Sequence, residues 1–126
     1  MNESALNKYG ISFSKESFGI DVKSTHPYLN LGIFLYLFSK YKPELVEFID
    51  TINLALCNNY NLIKYEDSEW QKELGRDVLI GIINENLTFE LLYCSENDSY
   101  VSCEENFPLT DIKELFQSLL DFMESN

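Results

Sequence analysis

The order of apolar and polar residues divides the first part of the chain into an alternating stretch and a strongly apolar one. Residues 11–14 and 18–23 are short runs of β-branched and aromatic residues with alternating polarity, so they predict a β-hairpin. Residues 29–38 are almost continuously apolar and have no polar face. This second pattern predicts a helix that is buried on most sides and ends near Lys40.

Two further segments carry apolar residues at helical spacing. The first follows Pro43, which suits the first turn of a helix, and it ends at the polar run 58–61. The second has Thr110 as its expected N-cap and extends to about Glu124. The apolar stripes that define them are Leu45, Phe48, Ile49, Ile52 and Leu56, and Ile112, Leu115, Phe116, Leu119, Leu120 and Met123.

Three strands are predicted between these two helices. Residues 78–83 form a Val/Leu/Ile run that is broken only by Gly81, which is typical of a central strand buried on both faces. An Asn-rich turn leads into residues 88–94, whose alternation predicts a second strand. Residues 100–104 predict a third strand, whose polar content suits the edge of a sheet.

The segment 62–75 has no clear periodicity. Residues 70–74 are consistent with a short helical turn that Gly75 closes in a left-handed conformation. The whole pattern predicts a single domain, with residues 1–9 as a flexible or short helical N-terminus. The expected fold class is α+β: an antiparallel β-meander with helices packed on one face, and with the other face or an edge available to a partner.

Composition narrows the class of protein. Of the 126 residues, 45% are hydrophobic and 14% aromatic, which excludes a disordered polyanion despite a net charge of −12. No apolar stretch approaches the ~20 residues that span a bilayer, and the N-terminus lacks the features of a secretory signal. Three cysteines without CxxC spacing fit reduced thiols. We therefore expect a cytoplasmic protein.

The negative charge is concentrated in the last third of the chain. Residues 85–126 contain ten Asp or Glu and one basic residue, Lys113, for a charge of −9 (1 − 10), whereas residues 1–84 carry −3 (8 − 11). Because a surface of one sign attracts partners of the opposite sign, this asymmetry predicts a basic protein partner. The same charge repels phosphate backbones and anionic lipids, so direct binding to nucleic acid or membranes is not expected.

The carboxylates of the predicted strands and turns form the candidate partner-binding set. Its acidic members are Glu85, Glu90, Glu96, Asp98, Glu104 and Glu105, and Tyr93 and Tyr100 are candidate aromatic anchors, with Trp70 as a further one. Strand alternation places Tyr100, Ser102 and Glu104 on one face, with Glu90 within reach across the sheet. The alternative is that these charges only keep the protein soluble.

No catalytic or cofactor motif stands out. His26 precedes Pro27 and has no nucleophile or metal ligand nearby in the sequence. Cys94 and Cys103 fall on adjacent predicted strands, where a Cys/Cys/His metal site is conceivable, but without short ligand spacing two ordinary thiols are the better interpretation. We therefore expect no enzyme activity, no metal and no cofactor.

A small acidic α+β chain with the meander 78–105 and the helix 111–123 resembles the immunity proteins of contact-dependent growth inhibition and related polymorphic toxin systems. The resemblance implies a bacterial cytoplasmic protein, an antitoxin in the broad sense, that neutralises one toxin domain, with a nuclease as the expected type. A monomer is favoured over a homodimer. The alternative is an acidic chaperone of the type III secretion class, which would dimerise and bind an extended effector segment.

Overall fold

Within residues 4–64, 67–95 and 101–125, which the computed structural model describes, the chain forms four α-helices and two antiparallel sheets. Side chains are described for residues 5–64, 67–95 and 106–125. The elements are α1 (Ser4–Tyr9), β1 (Ser12–Glu16), β2 (Gly19–Lys23), α2 (Leu29–Phe38), α3 (Lys42–Leu56), a 3₁₀ turn (Tyr60–Leu62), β3 (Glu69–Leu74), β4 (Asp77–Ile83), β5 (Thr88–Cys94), β6 (Val101–Pro108) and α4 (Leu109–Glu124).

The two sheets confirm the α+β prediction. Strands β1 and β2 form the expected hairpin as a separate two-stranded sheet. The larger sheet is a four-stranded meander in the order β3-β4-β5-β6, so β6 lies at an edge as its polar composition predicted. Helices α2 and α3 occupy the two segments that their apolar spacing predicted.

Strand β3 replaces the helical turn that was expected at residues 70–74, so that prediction is wrong. Along β3, exposed and half-buried residues alternate, and every residue of the strand pairs with β4. A lone helical turn fixes several residues for very few hydrogen bonds, whereas a strand beside β4 gains a ladder. Gly75 does adopt the predicted left-handed conformation, with φ 63°, but it does so in the two-residue turn between β3 and β4.

Helices α2, α3 and α4 cover one face of the four-stranded sheet, which we call the inner face. Its buried side chains are Leu79 and Ile83 on β4 and Phe89 and Leu91 on β5. Five phenylalanine rings bind the two layers together: Phe34 and Phe38 of α2, Phe48 of α3, Phe89 of β5 and Phe116 of α4, with neighbouring ring centroids 4.8 to 6.3 Å apart.

Helix α4 begins one residue before its expected N-cap. Pro108, not Thr110, is the N-cap residue, and no side chain caps the helix there. The first turn is held differently: the Leu109 backbone N–H donates to the Leu87 carbonyl at 3.0 Å. The start of α4 is therefore set by contact with the turn between β4 and β5, which a local capping rule does not capture.

Helix α1 is fastened to α4 by three polar contacts. The Ala5 backbone N–H donates to Glu114 Oε2 at 2.6 Å, and the Tyr9 hydroxyl and the Lys8 ammonium donate to Asp111 Oδ2 at 2.5 and 2.9 Å. Ala5 and Tyr9 are buried. The short N-terminal helix is thus part of the folded body. In the described part of the chain, no helix combines the length and apolar character needed to cross a bilayer.

Candidate protein-binding face

The face of the four-stranded sheet that points away from the helices is defined by three rows of paired positions, and we call it the outer face. Across the strands β3, β4, β5 and β6 in turn, the rows are Glu69–Ile82–Glu90–Asn106, Gln71–Ile80–Leu92–Cys103 and Glu73–Val78–Cys94–Val101. Alternate residues of a strand share a face, so successive rows lie about 7 Å apart.

The centre of the outer face is apolar. Val78, Ile80 and Ile82 of β4 and Leu92 of β5 are half-buried, and none of them packs against the core among the described residues. The prediction that β4 is buried on both faces is therefore wrong. The reason is that the helices all pack on the inner face, and the described elements supply no second layer. A sheet face that is open to water is normally polar. The apolar residues of the outer face are instead typical of a sheet face that another layer or another molecule covers.

Carboxylates lie on two sides of this apolar centre. Glu69 and Glu73 are exposed on β3, and Glu90 lies on the other side on β5, where Asn84 Nδ2 donates to its Oε1 at 3.0 Å. Among the described side chains of the three rows there is no lysine or arginine. The outer face therefore combines an apolar middle with a negative rim.

The lysine of β3 points the other way. Lys72 pairs with Glu44 of α3, and its Nζ lies 4.3 Å from the ring centroid of Phe38. Its side chain is 14% exposed, and burial lowers the pKa of Lys72 from its ordinary value of 10.5. The side chain of Lys72, the only cation of β3, thus lies on the inner face of the sheet.

Two of the sequence-predicted site residues have described positions at or beside the outer face. Glu90 is on its rim, and Glu85 is exposed in the turn that joins β4 to β5. Glu96, Asp98 and Tyr100 lie outside the described residues. Glu104 and Glu105 belong to β6, but their side chains lie outside the described part.

The aromatic anchors proposed from sequence face the core where they are described. Tyr93 packs against the core and its hydroxyl donates to Asp77. Trp70 packs edge-on against Phe48, with centroids 5.1 Å apart, and its Nε1 donates to the Asp67 carbonyl at 2.6 Å. Neither ring belongs to the outer face.

The register of β6 departs from regular alternation. Leu92 pairs with Cys103 but Leu91 pairs with Glu105, so Glu104 is an extra residue in a β-bulge. Ser102 pairs with Tyr93, a core-facing position, and Glu90 pairs with Asn106. The register thus breaks the uninterrupted alternation on which the grouping of Tyr100, Ser102 and Glu104 rested. Because Tyr100 and the side chains of Ser102 and Glu104 lie outside the described residues, that grouping, with Glu90 within reach, stays a prediction.

Part of the C-terminal charge is used inside the molecule. Asp111 and Glu114 hold α1, Glu124 pairs with Lys42 at 2.8 Å, and Asp121 accepts from Gln117 Nε2 at 3.1 Å. Burial of Asp111 opposes its ionisation, but the hydrogen bonds from Tyr9 and Lys8 and the charge of Lys8 outweigh it. The pKa of this carboxyl therefore lies below its ordinary value of 3.8. These four carboxylates therefore serve contacts within the fold.

Sequence reasoning missed most of the outer face. Glu69 and Glu73 fell in the unassigned segment 62–75, and Val78, Ile80 and Ile82 were assigned to a two-sided core. A usable signal was present: Glu69, Gln71 and Glu73 alternate with Trp70 and Leu74. Lys72 interrupts the apolar half of that alternation and obscured it.

Metal chemistry has no described site. In the part of the chain that the structure covers, no group of three His, Cys, Asp or Glu side chains could hold a metal ion. His26 and Cys57 are exposed and Cys94 is half-buried. The side chain of Cys103 is not among the described side chains, so the proximity of the Cys94 and Cys103 thiols stays a prediction.

No family model matches this chain, and no curated protein and no solved structure is significantly similar to it.

Proposed function

We propose that this chain binds and neutralises a basic protein domain in the bacterial cytoplasm, as an immunity protein does for its cognate toxin, and that the toxin domain is a nuclease. The observation that supports the proposal is the outer face, with Ile80 and its apolar neighbours at the centre and Glu69, Glu73 and Glu90 on two sides of them.

This arrangement matches the anatomy of protein interfaces. The desolvated centre of an interface is apolar and supplies most of the binding energy, whereas charges at the rim mainly raise the association rate. A nuclease groove holds Lys and Arg side chains that meet phosphates. Carboxylates placed against that groove replace the charge of the substrate, so inhibition needs a stoichiometric contact and no chemistry.

A secretion chaperone of the type III class is the second candidate. The apolar centre of the outer face also suits an extended apolar segment of an effector. The two functions differ in oligomeric state and in the partner: the chaperone would be a homodimer that binds an unfolded segment, whereas the immunity protein would bind a folded basic domain as a monomer.

Growth rescue tests the proposed function. The C-terminal domain of the protein encoded immediately upstream should arrest growth when it is expressed alone in a heterologous bacterium, and co-expression of this chain should restore growth. Placing a charge at the centre of the outer face with Ile80→Glu should abolish the rescue, since the new carboxylate would be buried against the partner.

The matched control introduces the same residue where no contact is expected. Phe18→Glu replaces a phenylalanine that is 60% exposed between β1 and β2, and it should leave rescue unchanged. The proposal fails if the upstream domain is harmless, or if Ile80→Glu folds and still restores growth as well as the native chain does.

A further inference from the structure

A second feature lies at the end of the sheet where β4 turns into β5. A cavity of about 280 Å³ opens between the C-terminal end of α3, the 3₁₀ turn and the β4–β5 turn. We call it the turn pocket, and it is lined by Ala55, Asn58, Tyr60, Asn61, Glu85 and Leu87. Sites for small molecules usually start at roughly 300 Å³, so this pocket has the size of a single side chain.

The electrostatic character of the turn pocket is negative. Helix α3 is 15 residues long and ends beside it, with no basic residue in its last turn, so the negative end of the helix dipole is uncompensated there. Glu85 adds a carboxylate, and no Lys or Arg is among the residues that line the pocket. The pocket therefore favours a cation.

Its polar side chains are available to a ligand. Within the described residues, Glu85, Asn58 and Asn61 make no side-chain hydrogen bond or ion pair. A carboxylate and two amide groups thus offer several acceptor oxygens from different directions. A planar guanidinium with five N–H donors fits spread acceptors better than the compact ammonium of lysine does.

One wall of the pocket is apolar. Leu87 has φ 65°, a left-handed conformation that is costly for a bulky residue and that Gly or Asn would adopt more easily. Its side chain, 38% exposed, lines the pocket together with the ring of Tyr60, whose hydroxyl donates to the Ile83 carbonyl at 3.1 Å. Such a wall suits the methylene stem of a long basic side chain.

The β4–β5 turn, which supplies Glu85 and Leu87 to the pocket, is linked to the outer face by hydrogen bonds. Asn84, the first residue of the turn, donates through Nδ2 to Glu90 on the rim at 3.0 Å and to Thr88 Oγ1 at 3.2 Å. The turn that carries Glu85 is therefore held to the rim residue Glu90.

We infer that the turn pocket binds one arginine side chain of the basic partner, with the guanidinium at Glu85 and the stem along Leu87. This inference rests on the proposed function and names the side chain that the partner inserts. Arginine is enriched among the residues that dominate interface energetics, which fits a single anchored side chain.

Binding of a short peptide tests the pocket without the partner. Acetyl-Gly-Arg-Gly-amide is titrated into the isotope-labelled full chain and followed by NMR. Saturating shifts are expected at the backbone amides of residues 58–61 and 84–87. Glu85→Gln should weaken the affinity about three- to fivefold, as for other exposed ion pairs. The same peptide with citrulline, which is neutral, should not saturate.

Two variants separate the pocket from general charge attraction. Glu47→Gln removes an exposed carboxylate elsewhere on α3 and should leave the affinity unchanged. Leu87→Gly removes the apolar wall and relieves the backbone, so it should fold and bind more weakly. The inference is overturned if Glu85→Gln binds as the native chain does, or if the largest shifts fall at residues 69–73.

The results also distinguish this inference from the proposed function. If the native chain fails to restore growth but still binds the arginine peptide, the proposed function is wrong and the pocket remains a site for a cation. Rescue that persists without any peptide binding would overturn the pocket alone.

Discussion

Gly81 lies against two rings of the phenylalanine cluster. It lies on the inner face of β4, and a methyl group added there would overlap the ring edges of Phe89 and Phe34. Both rings are fully buried within the phenylalanine cluster. Because protein interiors are packed as densely as organic crystals, neither ring can move aside freely. The absence of a side chain at Gly81 therefore leaves the space that the rings of Phe89 and Phe34 occupy.

Gly81→Ala should lower the free energy of unfolding by about 1 to 3 kcal/mol, the usual cost of overpacking a core. Urea denaturation measures this change. Adding Phe89→Leu removes part of the overlap, so the double variant should be less destabilised than the two single changes added together. Additive effects would contradict the close approach at this residue.

Among the elements, α1 owes its position to α4. Its six residues are too few for an independent helix, and contacts with Asp111 and Glu114 hold it in place. The carboxylates of α4 thus serve the fold. The pKa of Asp111 is lowered, so its contribution to stability is complete above the unfolded value of 3.8 and is lost as the pH falls through the folded value.

Asp111→Asn should therefore cost about 1 to 2 kcal/mol near neutral pH, because it removes a charged acceptor shared by Tyr9 and Lys8. The difference in unfolding free energy between this variant and the native chain should stay constant down to about pH 5 and shrink below 3.8. Asp50→Asn, an exposed substitution on α3, serves as the control. A difference that persists unchanged in acid would argue against the ion pair.

At the scale of the whole molecule, the charges of the outer face bear on self-association. Two copies that met through this face would bring Glu69, Glu73 and Glu90 of one against those of the other. Like charges brought together at an interface cost several kcal/mol, so the rim opposes self-association through this face.

The native chain should sediment as a monomer, whereas the triple variant Glu69→Gln, Glu73→Gln, Glu90→Gln should form a reversible dimer, because the rim no longer repels. A control triple variant of equal net charge changes exposed residues elsewhere: Glu47→Gln, Asp50→Asn and Asp67→Asn. That control should stay monomeric in sedimentation equilibrium. A native homodimer would instead favour the chaperone.

The sequence by itself determined the elements whose pattern is local. The spacing of apolar residues and the positions of turn residues were enough to predict α2, α3, α4, β4, β5 and the first hairpin. They were therefore also enough to predict the α+β class. The net charge and its concentration in residues 85–126 were equally readable. These properties need no knowledge of what lies across the fold, because each follows from neighbours in the chain.

Only the tertiary structure decided which surfaces these elements present. Strand β3 exists because β4 pairs with it, and the outer row of β4 is uncovered because the helices all pack on the inner face. Likewise, Asp111 and Glu124 are neutralised by residues far away in the chain, Lys8 and Lys42. An apolar run in the sequence indicates that its residues will be buried, but it does not indicate which element will cover them. A charged residue indicates attraction to the opposite charge, but it does not indicate which residue will be its partner. Covering element and charge partner both depend on contacts between residues that are distant in the chain.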